Sequence, residues 1–184
     1  MATQLSRPLT YDALRATPDD HQRYEIIQGE LFVSPTPTTT HQRVVHRLDR
    51  LIGDAVDKRR LGLVMPGPVD VRLGVHTIVA PDLVFVRSER VDIVHKQVIE
   101  GAPDLVVEVA SPSTRGRDII QKAAAFAEAG VPEYWLPDPQ PRSFRMLVLR
   151  DGVFHDIEAV DGQLRSSVID GLTIDPATLF AGID

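Results

Sequence analysis

Two short apolar runs, each introduced by a Pro-Asp pair, constrain the fold of this chain more than any other feature of its sequence. They occupy residues 83–86 and residues 105–109. Runs of this length without polar alternation are typical of central strands that are covered on both faces. We therefore expect both runs in the interior of a sheet, with a packed layer on each side.

The rest of the pattern mixes helices with strands. An amphipathic helix is predicted over residues 41–60 from apolar residues spaced by three and four. A second helix at 114–129 separates the strand at 105–109 from one at 133–136, an order that implies a parallel crossover. Further segments are a short helix at 10–17, a hairpin at 24–33, a strand at 69–73, a hairpin formed by 144–149 and 153–157, and a helical turn at 175–180.

These elements predict an α/β fold at the α+β border. We expect a mixed central β-sheet flanked by helices, with an added β-hairpin toward each terminus. The length of 184 residues suits a single domain spanning residues 1–184.

Composition and missing motifs exclude several chemistries. The chain has no cysteine, which removes disulfides, thiolate metal sites and cysteine nucleophiles. It lacks a glycine-rich phosphate loop and a Gly-x-Ser-x-Gly elbow. His41 and His46 are not spaced as zinc ligands on one helical face, and we expect them to be solvated helix histidines. No signal peptide or membrane-spanning run is apparent, so we expect a cytoplasmic location and no membrane partner.

The net charge of −6 seems to oppose a nucleic-acid partner, but it is unevenly distributed. Residues 151–184 hold seven acidic residues and one basic residue, and this excess of six acids equals the net charge of the whole chain. Residues 41–60 carry a local excess of three positive charges, and Arg115, Arg117 and Lys122 form another against Asp118. Phosphate contacts depend on local charge, so the global value does not exclude DNA.

Two carboxylates and one lysine stand out as candidate site residues. Asp82 begins the first apolar run, and Glu108 is the only charge between residues 105 and 110. A lone buried carboxylate needs a partner, and hard cations such as Mg²⁺ prefer carboxylate oxygens and water. Lys122, one of only three lysines, lies at the border of the apolar stripe of its predicted helix. A metal on paired carboxylates with an adjacent lysine suits phosphodiester hydrolysis.

Each of these residues also has a purely structural interpretation. Asp82 could begin a strand or accept backbone N–H groups in a turn. Glu108 could pair with an arginine, and Lys122 with Asp118 one helical turn before it. Their occurrence near one predicted sheet edge favours the shared site.

At these positions the chain resembles the Uma-two group of putative restriction-endonuclease-like proteins, in the PD-(D/E)XK nuclease superfamily. The resemblance covers residues 10 to about 160. The stretches that carry it are Tyr24-Glu25, Gly29-Glu30-Leu31, His41, Pro81-Asp82-Leu83, Glu108-Val109-Ala110-Ser111-Pro112-Ser113-Thr114, Asp118, Lys122, Gly130-Val131 and Glu133-Tyr134-Trp135-Leu136-Pro137-Asp138-Pro139.

The resemblance implies a restriction-endonuclease-like core and a set of site roles. Asp82 and Glu108 match the two acidic positions, the implied ligands of Mg²⁺ or Mn²⁺. The superfamily usually places its lysine two residues after the second acid, where this chain has Ala110. The lysine is instead expected at Lys122, on the following helix. Glu25 matches a further acid that assists metal or water.

The function expected from the sequence is that of a metal-dependent endonuclease hydrolysing phosphodiester bonds in DNA. The alternative is a non-catalytic binding or regulatory protein on a nuclease-like scaffold. A third class is a toxin-like or mobile-element-associated nuclease with a protein partner. Restriction-type nucleases often pair to cut two strands, so a homodimer is expected, with Phe144, Met146 and Phe154 either in its interface or in the core.

Overall fold

A computed structural model describes residues 7–20, 22–111 and 117–183, with backbone only for 117–119. The helices are α1 Tyr11–Arg15, α2 Thr39–Arg59, α3 Arg117–Ala129 and α4 Pro176–Phe180, with a 3₁₀ helix at Ser88–Ile93. The strands are β1 Arg23–Ile27, β2 Glu30–Ser34, β3 Gly62–Pro66, β4 Val71–Gly74, β5 Thr77–Val79, β6 Leu83–Arg87, β7 Ile99–Glu100, β8 Leu105–Val107, β9 Glu133–Asp138, β10 Ser143–Arg150, β11 Val153–Asp156, β12 Leu164–Arg165 and β13 Thr173–Ile174.

The described strands form two main sheets. One has six strands in the order β11-β10-β9-β8-β6-β3, and the other has five in the order β2-β1-β5-β4-β7. Each contains one parallel pair among antiparallel ones, β8 with β9 and β4 with β7. The predicted mixed α/β architecture is confirmed, and so is the parallel crossover through α3. The division of the strands between two sheets was not predicted, and the first hairpin belongs to the second sheet.

Strands β6 and β8 lie side by side in the interior of the six-stranded sheet, as their apolar runs predict. Alternate side chains serve different cores. Leu83 and Phe85 of β6 pack with α2 and the C-terminal segment, whereas Val84 packs with Phe126 of α3 and with the second sheet. Both faces are thereby removed from water, which is why neither run alternates with polar residues.

Helix α2 begins and ends with local signals in its sequence. The Thr38 hydroxyl accepts a hydrogen bond from the backbone N–H of His41 at 3.2 Å and caps the first turn. At the other end Arg60 adopts a left-handed conformation. The predicted helix over 41–60 is confirmed with small shifts at each end. Its buried stripe consists of His41, Val44, Val45, Leu48, Ile52 and Val56.

The positive charge of α2 is directed partly toward the acidic C-terminal segment. Arg43 and Arg47 donate to backbone carbonyl oxygens of the last residues, at 2.6 Å in each case. Arg59 forms an ion pair of 2.7 Å with Asp170. Three of the bases that make up the local excess therefore bind the chain itself, which makes this helix a weaker candidate for phosphate contact than its charge count indicates.

Other expectations are confirmed with adjusted boundaries. The first hairpin turns at Gln28-Gly29 and the second at Asp151-Gly152, and all four residues have positive φ. The predicted helix over 114–129 is described from residue 117, and its first residues lie outside the described part of the chain. Phe144 and Met146 are buried in one core, and Phe154 packs against the other, so these residues serve the core. Within the described residues, no helix is long and apolar enough to cross a membrane.

Candidate active site

The two acidic residues meet because β6 and β8 are antiparallel. Leu83 at the start of β6 pairs with Val107 at the end of β8, so Asp82 and Glu108 lie one residue beyond that pair at the same sheet edge. The backbone N–H of Asp82 donates to the Val107 carbonyl at 3.1 Å, which extends the pairing to Asp82. The apolar run predicts Glu108 inside its strand, whereas in the structure Glu108 comes immediately after β8.

Asp82 is held from three sides. Its Oδ1 atom lies 2.9 Å from Arg23 Nη2 and 3.1 Å from His41 Nε2, and its Oδ2 atom accepts the Val109 N–H at 2.8 Å. Burial alone would raise the pKa of this carboxyl, but His41, the Arg23 charge and the Val109 N–H outweigh burial and lower the pKa to about 2. Asp82 is therefore an anion at neutral pH. Asp82 does accept a backbone N–H group, but the donor is Val109 beyond the neighbouring strand and not a residue of its own turn, and this contact coexists with a place in the cavity.

The prediction that His41 is a solvated histidine is wrong. The residue is only 7% exposed and contacts Asp82, while His46 is exposed as expected. Neither ring nitrogen of His41 has a hydrogen bond of good geometry among the described residues, so its Nε2 atom approaches Asp82 as a close contact. A sequence signal was available, because His41 precedes Val44, Val45 and Leu48 by three, four and seven positions and so shares their buried stripe.

Lys122 joins the other two carboxylates. Its Nζ atom lies 2.8 Å from Oε1 of Glu108 and 2.8 Å from Oε1 of Glu25. Glu25 also accepts the Ala80 N–H at 2.7 Å, which fixes the orientation of its carboxylate. Among the described residues the close cation of Glu108 is therefore this lysine and not an arginine. The side chain of Asp118, the alternative partner of Lys122, lies outside the described residues.

The local charges give Glu108 an unusual protonation behaviour. Burial, together with the neighbouring charges of Asp82 and Glu25, raises the pKa of Glu108 to about 8 in spite of the opposing effect of Lys122. Lys122 itself has a raised pKa, because the attraction of Glu108 and Glu25 outweighs the effect of its burial. The lysine stays charged, whereas Glu108 holds a proton more strongly than an ordinary carboxyl group.

These groups line a cavity of about 300 Å³ between the two sheets and α3. Ala110, at the position where the superfamily pattern has lysine, contributes a small side chain to its wall. The wall also contains Arg23, Ile27, Phe32, Ser34, Pro35, Thr36, Pro37, Thr38, His41, Val109, Ser111 and Tyr134. All four predicted site residues, Glu25, Asp82, Glu108 and Lys122, are brought together here. Arg23 and Tyr134 were not assigned from the sequence, and Arg23 gives no local signal because its partner Asp82 is 59 positions away.

A glycine allows the backbone to approach Asp82 closely. The Gly67 N–H donates to the Asp82 carbonyl at 2.8 Å. A Cβ atom added at Gly67 would lie 2.2 Å from the carbonyl oxygen of Pro81, a distance that no side chain tolerates. Only glycine fits this position without moving the residues that begin β6.

The donor set of the cavity fits a hard divalent cation. Asp82 and Glu108 offer oxygen atoms only, which is the preference of Mg²⁺ and Mn²⁺. Among the described residues three carboxylates face two permanent cations, Lys122 and Arg23, and burial followed by the charges of Asp82 and Glu25 raises the pKa of Glu108. Among the described residues no three His, Asp or Glu side chains converge as a ready-made metal cage. A bound cation would therefore take Asp82 and Glu108 as ligands and complete its shell with water.

Comparison with known proteins identifies a family and a similar solved structure. The family model described as Uma2, putative restriction endonuclease, matches residues 10–177. The crystal structure of a putative nuclease belonging to DUF820 from Anabaena variabilis ATCC 29413 superposes with a TM-score of 0.81 at 19% sequence identity. The match covers 94% of this chain and 98% of that one, and it confirms the predicted restriction-endonuclease-like fold class. No curated protein matches the chain.

Proposed function

Because this chain belongs to the Uma2 family, described as putative restriction endonuclease, we propose that it is a metal-dependent endonuclease that hydrolyses phosphodiester bonds in DNA. Nucleases with restriction-endonuclease-like folds generally use divalent metals. The proposed metal is Mg²⁺ or Mn²⁺, held by Asp82 and Glu108. The proposed catalytic residues are Asp82, Glu108, Lys122 and Glu25.

One observation carries this proposal. The Lys122 ammonium lies 2.8 Å from Glu108, and Glu108 stands beside Asp82 at one sheet edge. The three groups come from separate elements, α3, the end of β8 and the start of β6. If Lys122 served only to neutralise Glu108, no second carboxylate would be needed beside it. Asp82 nevertheless lies at the same strand ends, with Arg23 as its own cation.

The contacts of each residue indicate its role in the proposed reaction. A metal bound to Asp82 and Glu108 would polarise the scissile phosphate and lower the pKa of a water. Arg23 and His41 fix the Asp82 carboxylate, and Glu25 fixes the Lys122 ammonium. Lys122 can then orient the attacking water or stabilise the charge that develops on the phosphate. Each role uses a contact that is already formed in the protein, so little reorganisation is needed when the substrate arrives.

The test is nicking of supercoiled plasmid DNA with Mg²⁺ or Mn²⁺. We expect cleavage by the unchanged protein, no cleavage in EDTA, and a loss of at least about a hundredfold in Asp82→Asn. The matched controls are Asp54→Asn and Lys58→Ala, since these residues form an exposed pair on α2 at 3.9 Å. Both controls should cleave at the normal rate.

A second readout measures metal binding without activity. A metal that binds only the folded protein raises the melting temperature, and at a concentration a hundred times its dissociation constant it adds about 2.7 kcal/mol. Asp82→Asn should abolish that increase, and Asp54→Asn should not. Absence of both cleavage and metal-dependent stabilisation would contradict the proposal and favour the non-catalytic scaffold. Metal binding without cleavage of any DNA would favour a regulatory protein that retains the site.

Two further predictions concern context. We propose that the chain forms a homodimer, which light scattering would detect as a mass of about twice the 20.3 kDa chain. A cytoplasmic location stays a prediction, as does a protein partner of the toxin-like class. Copurification from the native host, followed by identification of the bound chains, addresses the partner.

A further inference from the structure

Tyr134 lies on the same face of the six-stranded sheet as the acidic pair. It belongs to β9 and is in register with Val106 of β8, so that Glu108 follows two residues further along on the same face. Its ring packs between Phe126 of α3 and Phe154 of β11, with ring centroids at 5.1 and 5.6 Å. Packing on two sides fixes the ring, and with it the position of the hydroxyl group.

The hydroxyl of Tyr134 is buried and unsatisfied. The residue has 0% exposure, and its Oη atom has no hydrogen-bond partner among the described residues. Leaving a buried polar group unpaired costs about 1–3 kcal/mol, so phenylalanine would suit this place better if packing alone mattered. Tyr11 and Tyr24 are not fully buried, and the Tyr24 hydroxyl donates to Asp20 at 2.8 Å. Of the three tyrosines, the one with the buried, unpaired hydroxyl among the described residues is thus the one in the cavity wall, Tyr134.

The chemistry of the cavity indicates what that hydroxyl can bind. Lys122 already donates to Glu25 and Glu108, and Arg23 donates to Asp82. Burial raises the pKa of Tyr134 well above its usual value, and the nearby carboxylates raise it further, so the phenol remains a neutral donor. The nonbridging oxygens of a phosphodiester only accept hydrogen bonds. A fixed donor that no described protein group uses, in the wall of a site for phosphate chemistry, is complementary to these oxygens.

We propose that the Tyr134 hydroxyl binds a nonbridging phosphate oxygen of the nucleic acid and is a further catalytic residue of this site. The inference rests on the proposed function, since the phosphate is that of the strand being cleaved. Its contribution comes from a donor that is already desolvated: the hydroxyl gives up no hydrogen bond to the described residues, and the phosphate reaches it once the side chains that cover it move aside.

The test compares Tyr134→Phe, which removes one oxygen atom, with Tyr24→Phe as the matched control. Binding of thymidine 5′-monophosphate in the presence of Mg²⁺ is measured by calorimetry, together with plasmid cleavage and the melting temperature in EDTA. We expect Tyr134→Phe to bind the nucleotide about tenfold more weakly and to cleave at least about tenfold more slowly. Its melting temperature in EDTA should be equal to or higher than that of the unchanged protein, because an unpaired hydroxyl is removed. Tyr24→Phe should leave nucleotide binding and cleavage unchanged.

The outcomes separate this inference from the proposed function. Equal nucleotide binding by the unchanged protein and Tyr134→Phe overturns the inference, as does a failure of the unchanged protein to bind the nucleotide. A lower melting temperature of Tyr134→Phe in EDTA also overturns it, because the hydroxyl then has a structural partner. If the unchanged protein binds the nucleotide through Tyr134 but never cleaves DNA, the phosphate contact stands and the endonuclease proposal fails.

Discussion

The Nζ atom of Lys122 lies 2.8 Å from Oε1 of Glu108, and this contact joins residues 14 positions apart in the chain. Strand β8 ends just before Glu108. Helix α3 packs on the sheet face that carries Val106, and this packing brings Lys122 to the end of the strand. The superfamily pattern would place the lysine at Ala110, three residues after β8 ends, where this chain has no charge. Helix α3 supplies that charge instead, through Lys122.

Replacing Lys122 by methionine should destabilise the protein as well as abolish cleavage. Glu25 and Glu108 would lose the buried cation that lies 2.8 Å from both. Breaking a buried ion pair by removing one partner costs about 3–5 kcal/mol. Urea denaturation in EDTA measures the loss, and Lys58→Met, which changes an exposed lysine, should cost less than about 0.5 kcal/mol. A Lys122→Met protein as stable as the original would mean that the lysine is not the cation these carboxylates depend on.

The stability of the metal-free protein should fall as pH rises toward 9 because of Glu108. The folded pKa of about 8 lies above the unfolded value of 4.5, so the contribution of the protonated group is complete below pH 4.5 and is lost as pH rises through 8. Glu108→Gln removes this dependence, since an amide does not ionise. We expect the variant to gain stability relative to the original protein between pH 5 and pH 9, by up to several kcal/mol.

Thermal denaturation in EDTA at pH 5, 7 and 9 measures this difference. Glu128→Gln, an exposed change on α3, is the control and should follow the original protein at every pH. A constant difference between Glu108→Gln and the original protein across this range would refute the raised pKa.

His41→Gln should slow cleavage by about tenfold. His41 contacts Oδ1 of Asp82 at 3.1 Å, and its loss leaves that carboxylate less firmly oriented beside the metal position. His46→Gln changes an exposed histidine five residues along the same helix and should cleave normally. Rates of plasmid nicking at fixed metal concentration compare the two variants. Equal rates would mean that Arg23 and the Val109 N–H suffice to hold Asp82.

Glu133→Gln should loosen the C-terminal segment without touching the site. Glu133 is completely buried and accepts hydrogen bonds from Trp135 Nε1 at 2.6 Å, Ser166 Oγ at 2.8 Å and the Ser167 N–H at 2.6 Å. An amide would turn its NH₂ group toward groups that are themselves donors, and we expect the free energy of unfolding to fall by about 2–4 kcal/mol. The fluorescence of Trp135, the only tryptophan, follows unfolding in urea. Glu158→Gln, at an exposed position, should unfold like the original protein.

Much of the fold was predictable because its signals are local. The two apolar runs, the stripe of α2 and both hairpin turns depend on residues near one another in the chain, and the structure places elements at each of them. Strand β3 was missed, because Gly62 and Pro66 at its ends look like turn residues in the sequence. Its pairing with β6 supplies the backbone partners that the local pattern does not indicate.

The convergence of Glu25, Asp82, Glu108 and Lys122 on one cavity was predictable from the sequence, whereas the pairings of these residues were less so. A charge inside an apolar run, as with Glu108, is conspicuous in a sequence. His41 was misjudged because a histidine does not reveal whether its face of a helix meets water or another side chain. Arg23 was not noticed because its contact with Asp82 spans 59 positions.

The sequence by itself determined the central strands, the helices that cover them and the presence of buried charges, because hydrophobic periodicity and isolated polar residues act over a few positions. Tertiary structure decided which of two similar aspartates lies beside Glu108. Asp82 and Asp104 both follow proline and precede an apolar run, but antiparallel β6 and β8 place Asp82 beside Glu108 and Asp104 at the opposite edge, where it pairs with Arg90 at 2.9 Å. Strand direction is a property of the assembled sheet, so the separation of Asp82 from Asp104 arises only when β6 and β8 pair.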